Sequence, residues 1–123
     1  MVDESLVIKN LFKQLIDAEP VPFPEVRKRP NAPKKRGVYL IIDSSNSVLH
    51  VGNTPRGEHG LYQRLNDHLQ GRSSFSRKYL CGDGSKLRSD HFFKCLPVED
   101  SRQRALLEAY AIGKLCPKHL GTG

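Results

Sequence analysis

Residues 37–52 read GVYLIIDSSNSVLHVG. Two apolar runs, 37–43 and 48–52, flank Asp43-Ser-Ser-Asn-Ser47, whose side chains bond their own backbone and favour tight turns. The pattern predicts two antiparallel strands closed by that turn. Tyr39 falls in the first strand and His50 near the end of the second, so a hairpin brings both to one region of a sheet. Their register is not readable from the residues. Taken singly, Tyr39 is a half-buried strand aromatic and His50 an ordinary histidine.

Downstream, Leu61, Leu65 and Leu69 recur every four residues, which predicts a helix from Leu61 to Gln70. Gly71 stands where a left-handed cap would end it. Ser73 to Leu80 reads as a short helix capped by Ser73 or Ser74, and Cys81-Gly-Asp-Gly-Ser85 as a turn. His91 to Val98 suits a third strand. Asp100, with Gln103 three residues on, opens a helix that runs to about Leu115 and stops before Pro117.

Upstream, Val7, Leu11 and Leu15 lie beside Ile8, Phe12 and Ile16 on one face of a helix over residues 5–18. Pro20, Pro22, Pro24, Pro30 and Pro33 then predict a stiff segment without regular structure to about residue 35. The expected fold is α/β (α+β): a small three-stranded antiparallel sheet flanked by helices, with an extra N-terminal helix docked from outside. The expected division is a helix and basic proline-rich linker over 1–35, followed by one domain over 36–123.

Twenty lysines and arginines against 13 acidic residues leave a net charge of +7. Such a balance points to nucleic acid, because each neutralised phosphate releases counterions. The charge is clustered: Arg27, Lys28, Arg29, Lys34, Lys35 and Arg36 precede the hairpin, and Arg72, Arg77, Lys78, Lys86 and Arg88 form a second stretch. Lys34, Lys35, Arg36, Arg56, Arg72, Arg77 and Lys78 are the candidate backbone contacts. No apolar run approaches the roughly 18 residues of a membrane span. Asp3 and Glu4 do not suit a secretion signal, and Cys81, Cys95 and Cys116 are unpatterned; a reducing, cytoplasmic setting is expected.

Arg64 and His68 lie one turn apart on the same predicted helix face, bordering the leucine row. Glu108 shares a helical row with Ile112 and Leu115, and a carboxylate beside an apolar stripe needs a cation. Arg104, one turn back, is one candidate and a bound metal another. Cys81, His91 and Cys95 match no zinc spacing. Gly52, Gly57 and Gly60 fit no phosphate-binding loop, and no serine-hydrolase elbow is present.

Taken in order, Gly37-Val38-Tyr39, His50-Val51-Gly52, Arg64-Leu65, Leu107-Glu108-Ala109 and Pro117-Lys118-His119-Leu120 resemble the GIY-YIG nuclease family over roughly residues 36–120. Any one of these motifs is common; five in this order and spacing are not. The resemblance implies a DNA endonuclease using one divalent cation, Mg²⁺ or Mn²⁺, held by Glu108. It implies that Arg64 binds the scissile phosphate and that Tyr39 and His50 position or activate water. Some restriction enzymes of the family carry a histidine four residues after the arginine, which His68 matches. Two positions depart: His50 replaces a tyrosine, and Leu120 an asparagine that helps order the site. Imidazole, with an ordinary pKa of about 6.5 against about 10 for tyrosine, is the easier base near neutrality. The competing reading is a catalytically weakened module that binds nucleic acid on the same fold. DNA is the expected partner, with RNA left open, and the N-terminal helix is the expected surface for a homodimer or a protein partner.

Overall fold

The computed structural model describes residues 3–54 and 59–121. The N-terminal helix α1 spans Glu4–Asp17 and is capped by Asp3, whose carboxylate accepts the Ser5 and Leu6 N–H groups. The predicted hairpin forms as β2 (Gly37–Asp43) and β3 (Val48–Asn53). One oxygen of Asp43 accepts the N–H groups of Ser45 and Ser47, both at 2.9 Å, and closes the turn. Asn46 takes the left-handed conformation that the turn requires, with φ 63°. Helices α2 (Gly60–Leu69) and α3 (Ser74–Tyr79) follow, then β4 (His91–Pro97) and α4 (Ser101–Leu115), which is capped by Asp100. The segment expected to be a simple turn after Cys81 also carries a 3₁₀ turn over Gly84–Arg88.

The sheet is antiparallel with order β1-β4-β2-β3, four strands where three were expected. The additional strand, β1, is the pair Val21–Pro22 within the proline-rich segment. It can form because it is an edge strand, where a proline that lacks an N–H costs no ladder bond. Phe23, just beyond it, donates its N–H to the His91 carbonyl.

The two faces of the sheet bury different cores. Val38, Leu40, Ile42 and Val51 pack against α1 and α4, with Ile8, Leu15, Leu107 and Ala111. Tyr39, Ile41 and Phe93 face α2, α3 and the 3₁₀ turn, with Leu61, Leu65, Leu69 and Phe75. Helix α1 also touches α4 through an edge-to-face pair between Phe12 and Tyr110, with ring centres 5.2 Å apart. Among the described residues no helix is long and apolar enough to cross a membrane.

Pairing is regular until Ile41, which faces His50, whereas Ile42 faces Val48. Leu49 is the extra residue of a bulge, and its side chain joins the core on the Tyr39 face. The outer edge of β3 is covered only in part. Lys118 and His119 donate their N–H groups to the carbonyls of Val48 and Leu49, and beyond that point the edge is open.

Candidate active site

A cavity of about 620 Å³ follows this open edge of β3. His50, Gly52 and Asn53 form its floor, Arg64 and Asp67 of α2 one wall, Glu108 of α4 the other, and His119 to Gly121 one end. Residues from both faces of the sheet therefore meet around its edge.

The register explains why the hairpin matters. Tyr39 pairs with Gly52 and Ile41 with His50, so Tyr39 and His50 lie on one face. A Cβ at position 52 would collide with the Tyr39 hydroxyl, so the glycine is what lets the phenol reach the strand edge. Tyr39 is fully buried and lies behind Gly52. Burial pushes its pKa up to about 12, against the lowering effect of Arg64, so the phenol is protonated at neutral pH.

His68 is also fully buried. It does more than border the leucine row: α2 turns this residue inward beside Leu65 and Leu69. Its Nε2 lies 2.6 Å from the Tyr39 hydroxyl and its Nδ1 2.6 Å from Ser73 Oγ. Proton directions follow from the far end of this chain. Ser76 Oγ donates to the His68 carbonyl at 2.5 Å, so it must accept from the Ser73 hydroxyl at 3.1 Å. Ser73, its one proton spent, accepts from His68 Nδ1–H. Burial, reinforced by the charges of its neighbours, holds the His68 pKa well below the usual histidine range, so the ring is neutral. Nε2 then carries a lone pair and accepts the Tyr39 proton. A serine read from the sequence only as a helix cap thus also selects a tautomer.

His50 stacks on Phe75, with ring centres 5.0 Å apart. A hydrogen bond of 3.1 Å joins its Nδ1 to His119 Nδ1, so one of the two rings carries an Nδ1 proton and the other does not. Burial, with the neighbouring His119, lowers the His50 pKa to about 4. His119 is shifted down as well, by burial and by the charge of Lys78, and its Nε2 is a buried polar atom without a partner.

Glu108 is half-buried and accepts a 2.7 Å hydrogen bond from the Asn53 amide. No basic side chain lies within ion-pair distance of it among the described residues. Arg104, the partner weighed from the sequence, instead donates to the carbonyls of Val98 and Glu99 at 3.1 and 2.6 Å. Burial raises the Glu108 pKa, and the Asn53 bond only partly offsets this. Arg64 lines the opposite wall with a buried Nε that has no partner, and its Nη1 is 3.9 Å from Asp67. The cavity therefore holds a carboxylate that has no ion-pair partner among the described residues, with the charge of Arg64 and the Asn53 amide only partly offsetting its burial.

Three of the five expected site residues, His50, Arg64 and Glu108, line the cavity, while Tyr39 and His68 stand behind its floor. Asn53 was not singled out from the sequence; its signal was an amide following His-Val-Gly at a strand end. His119 was noted only within its motif. Of the expected backbone contacts, Lys34, Lys35, Arg36, Arg72, Arg77 and Lys78 are exposed, whereas Arg56 lies outside the described residues.

Residues 35–120 match the GIY-YIG catalytic domain. A search of curated protein sequences gave no match. Among solved structures, the fold is similar to the GIY-YIG N-terminal endonuclease domain of UvrC from Thermotoga maritima bound to its catalytic divalent cation, magnesium. That likeness has a TM-score of 0.55 at 21% identity, over 74% of this chain and 89% of that one. A point mutant of the same domain matches over 92% of this chain and 97% of that one, with 18% identity and a TM-score of 0.53. With a domain match spanning the hairpin, α2, α4 and the C-terminal segment, the chain belongs to the GIY-YIG family.

Proposed function

We propose that the protein is a divalent-metal-dependent endonuclease that hydrolyses DNA phosphodiester bonds at the β3-edge cavity. The observation that carries this reading is that Glu108 and Arg64 line one cavity without an ion pair between them: the carboxylate suits a cation and the guanidinium a phosphate. Glu108 suits a hard cation because its carboxylate has only an amide partner. Among the described residues no three potential ligands cluster, and Glu108 is the protein ligand this reading assigns. Mg²⁺ or Mn²⁺ held there would stabilise negative charge on the scissile phosphate and the leaving oxygen.

The chain's own residues supply the rest. Arg64, about one-third exposed on the cavity wall, offers its guanidinium to the phosphate. His50 lines the cavity floor as a neutral imidazole, and as a base it must offer Nε2 to water. That requires its Nδ1–H to donate to His119, which makes His119 the residue that selects its tautomer. Tyr39, its proton directed to His68, lies beneath Gly52 and positions the cavity floor next to that water. The exposed cations Lys34, Lys35, Arg36, Arg72, Arg77 and Lys78, together with Arg56, bind the backbone without reading sequence.

Nicking of supercoiled plasmid with Mg²⁺ or Mn²⁺ tests the reading. Wild type should nick and Glu108→Ala should not, and His50→Phe should slow the reaction. No cleavage by wild type, or equal cleavage by Glu108→Ala, overturns the nuclease assignment. An unchanged rate in His50→Phe removes imidazole as the base.

A further inference from the structure

A second cavity, of about 480 Å³, lies on the outer side of α2, between that helix and residues 24–35. The family match begins at residue 35, so this strap lies almost wholly outside it. Despite its prolines, it is held at several points. Arg88 Nη1 donates to the carbonyls of Pro24, Glu25 and Lys28, and Arg29 donates to the Tyr62 hydroxyl at 3.2 Å. The carbonyls of Pro33 and Lys35 accept the N–H groups of Tyr62 and Leu61, satisfying donors that the first turn of α2 leaves free. Gly60, at φ 45°, has no room for a Cβ against the Lys35 backbone, which is how closely strap and helix approach.

The chemistry of this cleft is one-sided. Arg27, Lys28, Arg29, Lys34, Arg72 and Arg88 line it, and no carboxylate does among the described residues. Four cations of the first basic stretch and two of the second, Arg72 and Arg88, are thus folded into one cleft. Lys28 pairs with Glu25 at 3.6 Å and Arg72 with Asp67 at 3.7 Å, and the other four have no carboxylate partner among the described residues. Arg27 holds a left-handed backbone, φ 72°, at the strap tip, a strained conformation for a residue with a Cβ. Gln63 lines both this cleft and the active-site cavity, so the two lie side by side along α2.

We propose that the strap cleft is a second nucleic-acid site, which grips backbone phosphates of the strand beyond the stretch held in the catalytic cavity. Continuity through Gln63 favours a strand that runs on from the active site over a free small anion. The amides of Asn66 and Gln70, also in the cleft, can bond sugar or base edges that the strand presents. The proposal rests on the nuclease reading for the identity of the polyanion, but it can be tested without cleavage.

Binding of a labelled short DNA duplex, followed by anisotropy without divalent metal, compares wild type with Arg27→Glu/Lys28→Glu. A matched control, Lys9→Glu/Lys13→Glu, reverses two exposed lysines on α1, so net charge changes equally. If the cleft is the site, the strap variant should bind at least tenfold more weakly in low salt. Its slope of log K against log salt should be shallower by about 2, since each lost phosphate contact removes about 0.9. The control should keep the wild-type slope. Equal losses in both variants, or none in the strap variant while its circular dichroism is native, overturn the proposal. So does calorimetry in which inorganic phosphate occupies the cleft while duplex binding ignores the strap charges. Strap-dependent binding with no cleavage by wild type sinks the nuclease reading alone. Glu108-dependent cleavage with strap-independent binding sinks this proposal alone.

Discussion

The two faces of the sheet solve the same packing problem with different materials. Against α1 and α4 the strands present Val38, Leu40, Ile42 and Val51, all aliphatic. Against α2 and α3 they present Ile41, Leu49 and Phe93 and, set among them, Tyr39 and His50, which meet His68 and through it Ser73 and Ser76. Burying these polar groups is costly unless each is satisfied, and the phenol–imidazole–serine chain is satisfied along its length. The aliphatic face gives most of its area to stability. The polar groups of the second face hold protons in fixed positions next to the β3 edge, where chemistry can use them.

That division predicts what each face does when it is cut. Leu40→Ala should cost about 2–5 kcal/mol in chemical denaturation, as a cavity in the aliphatic core. Cleavage per folded molecule should stay at the wild-type level, and a loss of activity without loss of stability would break the comparison.

Acid should attack the polar face first. The pKa of His50 is about 4 in the folded chain and about 6.5 when unfolded, so between those values the unfolded chain binds the extra proton. This contribution to stability is intact above pH 6.5 and is lost as pH falls toward 4. It amounts to about 3 kcal/mol for His50, and the lowered His68 and His119 act in the same direction. Thermal melting at pH 7 and pH 5 should show the loss, and His50→Phe should lessen it. Cleavage should also fall on the acid side, because protons compete with the divalent cation for the Glu108 carboxylate, whose pKa burial raises. Raising the divalent concentration should restore part of that loss, and an acid limb that ignores the metal concentration would break the link.

Tyr39→Phe leaves the His68 Nε2 lone pair buried without a donor and should cost about 1–3 kcal/mol. Its sharper readout is the His68 tautomer, seen by ¹⁵N NMR, which should stay Nδ1–H in wild type and lose its preference only when Ser73→Ala removes the acceptor. The smallest effect belongs to Asn53→Ala. Loss of one amide bond should raise the Glu108 pKa further and weaken divalent binding a few-fold, with stability changed by about 1 kcal/mol. Calorimetric titration with Mn²⁺ checks it.

Much of this was written locally. The hairpin, α2 with its Gly71 cap at φ 75°, and α4 with its Asp100 cap follow from periodicity and capping chemistry within a few residues of chain. Glu108 stood out as a carboxylate beside an apolar row, whereas Arg64 was legible only through the ordered motifs of the family resemblance. The fourth strand was not, since two residues bounded by prolines carry no period of their own and exist only through Phe92 and Phe93 across the ladder. Nor was the Asn53 partner of Glu108, which lies 55 positions away in the chain.

The sequence by itself determined the element types, the hairpin and the set of chemical groups, because these depend on residues within one turn or strand of each other. Tertiary structure alone decided how those groups are used. It set His50 against His119, buried His68 behind Tyr39, and left Glu108 without the arginine one turn back. It also turned two separate basic stretches into one cleft. The reason is physical: burial, tautomer and pairing depend on what arrives from distant parts of the chain, and no local pattern specifies that.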